Sequence, residues 1–153
     1  MARFGTILCP VDFSPATPRV VAYAKDLATA LQARLVLLHV SRPMLRFTAV
    51  EVGMENIARF ANAVHEGAVK NMHALKAELL PETDAILRVE TGYPAEVILA
   101  VAKEAKVDLI VMGTHGYAGL KRMVFGSVAE KIAKNSPVPV LTVRPYDETA
   151  QHP

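Results

Sequence analysis

Residues 108–128 read D-L-I-V-M-G-T-H-G-Y-A-G-L-K-R-M-V-F-G-S-V. The stretch opens on an apolar run, passes through Gly113, Gly116 and Gly119, and closes on Gly126-Ser127 and a new helical pattern. A short run of Leu, Ile, Val and Met with little alternation is how a strand buried on both faces reads, and parallel sheets need such burial. The glycines after it are either turn chemistry between a strand and a helix or a backbone cradle for an anion. The place of this strand in the fold decides between them.

Four more apolar runs are TILCPV (6–11), RLVLLHV (34–40), AILRVE (85–90) and PVLTVR (139–144). AILRVE alternates more than the others, as an edge strand does. Between the runs, apolar residues recur at helical spacing. A first helix starts near Ser14-Pro15, a plausible cap and first-turn pair, and carries Val20, Ala24, Leu27, Ala28 and Leu31. A second covers 54–80, with Ile57, Phe60, Val64, Ala68, Leu75 and Leu79 as its stripe and Pro81 as its stop. A third opens at Tyr93-Pro94 and carries Ile98, Val101, Ala102 and Ala105. A fourth covers 126–135, with Val128 and Ile132 facing in and Ser136-Pro137 ending it. This β-α-β-α-β-α-β-α-β order predicts an α/β fold, a parallel sheet with helices on both faces and right-handed crossovers. The one longer connection, 41–53, is apolar for a loop. It covers a site, packs on a partner, or is a surface loop with buried anchors.

A length of 153 residues suits one domain, read as 1–146 with a polar tail at 147–153. Apolar residues make up 52% of the chain, enough for a core without metals or disulfides. A formal net charge of +2 is too mild to point to nucleic acid or a membrane surface. The single cysteine, Cys9, excludes an internal disulfide and fits a reducing compartment. No run reaches the roughly 18 apolar residues of a membrane span. The expectation is a soluble cytoplasmic protein.

In open parallel sheets, ligands sit outside the carboxyl ends of the strands, where strand order reverses. The residues to watch are therefore Pro10-Val11-Asp12, His39-Val40-Ser41, and the chain from Gly113 onward. Gly113-x-x-Gly116, nine residues and Gly126-Ser127 would put close backbone at one end of a loop and a helix N-terminus at the other, both suited to an anion. Ser127 and Thr114 add hydroxyls, and Lys121 and Arg122 add positive charge. Known phosphate motifs do not match. A Walker loop needs Lys after its last glycine, where Ser127 stands, and a dinucleotide fingerprint needs glycines after the first strand, where Pro10-Val11-Asp12-Phe13-Ser14-Pro15 stands. Asp12 could hold ribose or cap the first helix with Ser14. Val11 and Val40 could flank a flat base or be ordinary core.

The histidines are scattered. His65 and His73 stand eight apart on one helix, not at the spacing of a metal pair, so no metal site is expected from side chains. His115 contacts phosphate or merely sits in the loop. Cys9 reads as a small core residue, and Ser14, Ser41 and Ser127 have capping or loop roles, so no catalytic residue is assigned.

The motifs I-L-C-P-V-D-F-S, L-V-L-L-H-V, D-L-I-V-M-G-T-H-G, G-L-K-R-M-V-F-G-S-V-A-E-K-I and S-P-V-P-V-L-T-V-R together resemble the universal stress protein family, and within it the ATP-binding branch. The resemblance covers nearly the whole chain. The family pattern G-x2-G-x9-G-S/T is met by Gly113, Gly116, Gly126 and Ser127. It implies a three-layer sandwich of the adenine nucleotide alpha hydrolase-like type, with strand order 3-2-1-4-5. It also implies ATP across the ends of strands one and four, with magnesium or manganese on its phosphates. Pro10, Val11 and Asp12 would meet the adenosine end, with Val40 pairing adenine through its backbone. Met112, Gly113, His115 and Gly116 would line the ribose and first phosphates, and Gly126, Ser127 and Val128 the outer ones. A homodimer through the last strand, 139–144, is implied as well. The function implied is a nucleotide-dependent regulator of a stress response with at most slow ATP hydrolysis, since no residue is an evident water activator. Two alternatives stand beside it. One is a nucleotide-free dimeric interaction module, as in the family branch whose glycine motif is eroded. The other is an adenylating or phosphate-transferring enzyme, although the chain lacks the glycine-serine loop and H-I-G-H motif of such enzymes.

Overall fold

A computed structural model describes residues 3–43, 53–115 and 125–145. Its elements run β1 (Thr6–Pro10), α1 (Thr17–Leu31), β2 (Arg34–Ser41), α2 (Met54–Leu79), β3 (Ala85–Thr91), α3 (Pro94–Glu104), β4 (Leu109–Gly113), α4 (Ser127–Asn135) and β5 (Val140–Val143). Every strand pair is parallel, and the sheet order is β3-β2-β1-β4-β5. The alternating run, β3, is an edge, as its pattern suggests.

The central strands read as continuous apolar runs because successive residues serve two different cores. Ile7, Cys9, Leu35, Leu37 and Val111 face one layer, where Val20, Val21 and Ala24 of α1 and Met72 of α2 cover them. Leu8, Val36, Leu38, Ile110 and Met112 face the other, under Ile98, Val101 and Ala102 of α3 and Ala129 and Ile132 of α4. Each fully buried Leu or Ile contributes about 1.5–3 kcal/mol by leaving water.

Two elements depart from the sequence reading. The first helix begins at Thr17, with Ala16 as its cap residue. Residues 14–17 instead form a turn, in which the Thr17 N–H donates to the Ser14 carbonyl at 2.9 Å. Ser14 is buried in that turn and does not cap the helix. The second departure is in α2. Its stripe packs from Ala68 onward, but Met54 and Phe60 are 73% and 53% exposed and Val64 is exposed as well. The helix has 26 residues, about 39 Å at 1.5 Å per residue. The longest strand, β2, has 8 residues, about 26 Å. The first half of α2 therefore projects past the sheet it covers.

The amino ends of the central strands are tied to one another. Asp108 Oδ2 accepts the N–H groups of Gly5 at 2.8 Å and Thr6 at 3.0 Å. Arg34 donates through Nη2 to Thr6 Oγ1 at 3.1 Å, and its own N–H reaches the Gly5 carbonyl at 3.0 Å. The polar groups at this rim satisfy one another.

Candidate functional site

The chain leaves β1 toward β2 on one side and later crosses to β4 on the other, so a crevice forms at the carboxyl ends of β1 and β4. A cavity of about 540 Å³ occupies it, within the range of small-molecule sites. Pro10, Val11, Asp12, Val40, Met112, Gly113, His115, Gly126, Ser127 and Val128 all line it. Those are the residues singled out from sequence, except Gly116, which lies outside the described residues together with Gly119, Lys121 and Arg122.

The β1–α1 turn is fixed from several directions. The Val11 N–H donates to the Leu38 carbonyl at 2.8 Å. His39 Nδ1 stands 2.9 Å from the Val11 carbonyl. A carbonyl only accepts, so Nδ1 carries the proton in that bond. The His39 ring also packs on Phe13, centroids 4.4 Å apart, and Phe13 holds a left-handed φ of 59°. His39 thus braces the turn and does not line the cavity. Asp12 Oδ1 accepts the Ser14 N–H at 3.0 Å and lies 3.5 Å from Thr17 Oγ1. The carboxylate closes the turn and does not cap α1, whose cap residue is Ala16, so the capping reading is corrected, while Asp12 does line the cavity.

On the β4 side, the Thr114 N–H continues the sheet by donating to the Val143 carbonyl at 3.0 Å. Thr114 Oγ1 meets His115 Nδ1 at 2.9 Å. The other ring nitrogen, His115 Nε2, is buried and has no partner among the described residues. A buried polar atom left so costs about 1–3 kcal/mol unless something meets it.

Opposite stands the start of α4. Gly126, in extended conformation, is its cap residue and offers no side chain. The first helical bond runs from the Glu130 N–H to the Gly126 carbonyl at 2.9 Å. The N–H groups of Ser127, Val128 and Ala129 therefore precede the helical ladder and point from the positive end of the helix. All three residues line the cavity.

The two glycines have distinct jobs. The Gly126 N–H donates to the Thr114 carbonyl at 2.8 Å, pinching together the chain before and after 116–124. A Cβ on Gly126 would stand 3.2 Å from that carbonyl oxygen and 3.6 Å from His115 Cα. A Cβ on Gly113 would meet His115 O and Val20 Cγ2 at 3.4 Å, an ordinary contact. The tight fit at 126 is of a Cβ against backbone, where Gly126 meets Thr114 and His115. Space inside the cavity, the reason the motif alone suggests, is not what a Cβ there would fill first.

Cys9 is fully buried in β1, and burial pushes its thiol up to about 12. It is core, as read. His65 and His73 are exposed on α2. Among the described residues no group of three His, Cys, Asp or Glu could hold a metal ion, and no helix is long and apolar enough to cross a membrane. The lining also includes Arg42, Pro94, Ile98 and Phe125, none of which the sequence marked as site residues. Arg42 carried a signal, since it follows β2 by one residue at the end of the sheet where ligands bind.

A parallel sheet ordered β3-β2-β1-β4-β5, with its crevice at the strand-order reversal, defines a doubly wound α/β protein. The model of the universal stress protein family matches residues 3–144, and the chain belongs to that family. It is 35% identical over 141 residues to a universal stress protein of Thermus aquaticus, covering 92% of this chain and 99% of that one. To the universal stress protein MJ0577 of Methanocaldococcus jannaschii it is 31% identical over 157 residues, covering 92% and 95%. The solved structure of MJ0577 superposes with a TM-score of 0.82, covering 95% of this chain and 99% of that one at 32% identity. A universal stress protein solved in complex with cAMP superposes with a TM-score of 0.63 at 25% identity, covering 95% and 100%.

Proposed function

We propose that this universal stress protein binds ATP in the β1/β4 crevice and acts as a nucleotide-dependent regulator. The observation that carries the reading is the start of α4, which has no side-chain cap and whose first residues line the same cavity as His115, a residue whose buried Nε2 has no partner among the described residues. Backbone donors at a helix N-terminus suit phosphate, and a buried imidazole nitrogen gains a partner when an oxygen arrives. The apolar walls of Val11, Val40 and Met112 suit a flat base. The relative in complex with cAMP supports an adenine ligand.

In this reading Pro10, Val11, Asp12 and Val40 hold adenosine. Met112, Gly113, His115 and Gly116 line the ribose and inner phosphates, and Gly126, Ser127 and Val128 the outer ones. Gly126 contributes by setting the position of Ser127 and Val128, since its own N–H is held by Thr114. Magnesium or manganese would be carried by the phosphates. Hydrolysis is slow at most, because the carboxylate nearest the site, Asp12, is tied into its turn by Ser14 and Thr17. Strand β5 lies at the sheet edge with Leu141 exposed, which suits pairing with a second copy through 139–144.

Mass analysis of nucleotide co-purifying with the protein, followed by equilibrium dialysis against ATP, tests the reading. Bound ATP at up to one per chain is the expected result. Protein that neither carries nor takes up any adenine nucleotide would overturn it.

A further inference from the structure

Arg42 lines two neighbouring spaces. One is the central cavity; the other is an adjoining groove of about 420 Å³. Pro94, Ser127 and Val128 are shared between them as well. The boundary is therefore formed by a guanidinium on one side and the first residues of α4 on the other. Arg42 follows β2 directly and its side chain is exposed. Among the described residues it has no ion-pair or hydrogen-bond partner, whereas Arg34 is held by Thr6 and Arg88 by Glu90 and Glu104. The charged groups facing it across the groove are Glu96, Glu130, Lys131 and Lys134. Lys134 is bound to Glu130 at 2.7 Å, so those two charges offset each other.

We infer that Arg42 sets the phosphate-number preference of the site. It draws the outer phosphates of a nucleoside triphosphate across the start of α4 toward the groove, while the nucleoside end stays in the central cavity. The inference rests on the ATP reading above. A guanidinium presents donors in a planar fork that matches phosphate oxygens two at a time, which an ammonium cannot do. Because Arg42 stands where the cavity gives way to the groove, its fork engages phosphates that extend past the cavity more than a nucleoside or monophosphate seated within it. A diphosphate reaches it in part and a triphosphate fully.

The test is calorimetric titration of wild type, Arg42→Ala and Arg42→Lys with adenosine, AMP, ADP and ATP. Arg42→Ala should weaken ATP by about ten- to a hundredfold, the range of a lost charge-assisted pair. ADP should weaken less, and AMP and adenosine should change by no more than about twofold, within measurement scatter at this scale. Retained AMP binding also reports that the variant is folded. Arg42→Lys should recover part of the ATP affinity. Equal weakening of all four ligands would make Arg42 a structural residue and overturn the inference, as would unchanged ATP affinity in Arg42→Ala. Wild type that binds AMP and ATP equally would overturn the inference and leave the adenine-site reading standing. Wild type that binds none of the four would overturn both.

Discussion

The two ends of the β1–β4 seam are built from the same strands and treat their polar groups in opposite ways. At the amino end, the Asp108 carboxylate takes up the N–H groups of Gly5 and Thr6, and Arg34 takes up the Thr6 hydroxyl. At the carboxyl end, the first residues of α4, whose N–H groups precede the helical ladder, line a cavity together with His115, whose buried Nε2 has no partner among the described residues. A buried donor or acceptor needs a partner. Where the described residues supply that partner the region is structural, and where they do not, another group must. The contrast makes the carboxyl end the candidate site without reference to any particular ligand.

Substitutions at the two ends should therefore separate binding from stability. The largest effect on binding is expected at Gly126. Gly126→Val forces a side chain against Thr114 O and His115 Cα, opens the base of the loop and displaces Ser127 and Val128. ATP affinity should fall by more than about a hundredfold, roughly 3 kcal/mol, in calorimetric titration. Gly113→Ala, whose Cβ makes only ordinary contacts, should be far milder than Gly126→Ala. If the two alanine variants lose affinity equally, the distinction between loop closure and simple packing is wrong.

Asp108→Ala is the counterpart at the amino end. It strands two backbone donors and should lower unfolding free energy by about 1–3 kcal/mol in urea titration. ATP affinity should be unchanged, because the carboxylate lies at the far end of the strands. A loss of affinity without a loss of stability would break the comparison.

Cys9 gives a reactivity prediction. Its thiol, pushed up to about 12 by burial, stays protonated and covered throughout the neutral and mildly alkaline range. A disulfide-exchange reagent at pH 8 should react with native protein only at the rate of unfolding, and at once when denaturant is added. Rapid labelling of the native state would contradict the burial.

The smallest effect belongs to the exposed Glu130–Lys134 pair. Lys134 holds the Glu130 carboxyl below its ordinary range. A depressed carboxylate contributes stability above its unfolded value and loses it as pH falls through the lowered one. Exposure and screening keep that contribution slight. Lys134→Gln should return the Glu130 titration, followed by carboxyl NMR, toward the ordinary range with little change in stability. An unmoved titration would mean that the ion pair is absent in solution.

Most of the architecture was legible because burial on both faces leaves an unmistakable run in β1, β2 and β4. The alternation of AILRVE marked β3 as an edge for the same reason. The stripe of α2 misled because periodicity reports an amphipathic face and is silent about whether a sheet lies beneath it. Phe60 and Val64 continue the stripe but stay exposed, while Ile57 is half-buried. The start of α1 was displaced because Ser14-Pro15 serves a turn as well as it would serve a cap.

The cavity lining was legible where spacing encodes backbone geometry, at Gly113, Gly126 and Ser127, and at the ends of strands, at Asp12 and Val40. The reason for glycine at 126 was not, since the contact of its backbone with Thr114 is tertiary. Ile98 and Phe125 were missed because a cavity wall assembled from α3 and the approach to α4 has no linear spacing to read, whereas Arg42 was legible from its place just after β2.

One measurement addresses the contrast between the two ends most directly: amide NMR spectra recorded while ATP and magnesium are added. Shifts concentrated at Val11, Val40, Ser127, Val128 and Ala129, with Gly5, Thr6 and Asp108 unmoved, are the predicted result. A silent spectrum, or shifts centred on Gly5 and Asp108, would contradict the claim that the open carboxyl end of the seam is where this protein binds its nucleotide.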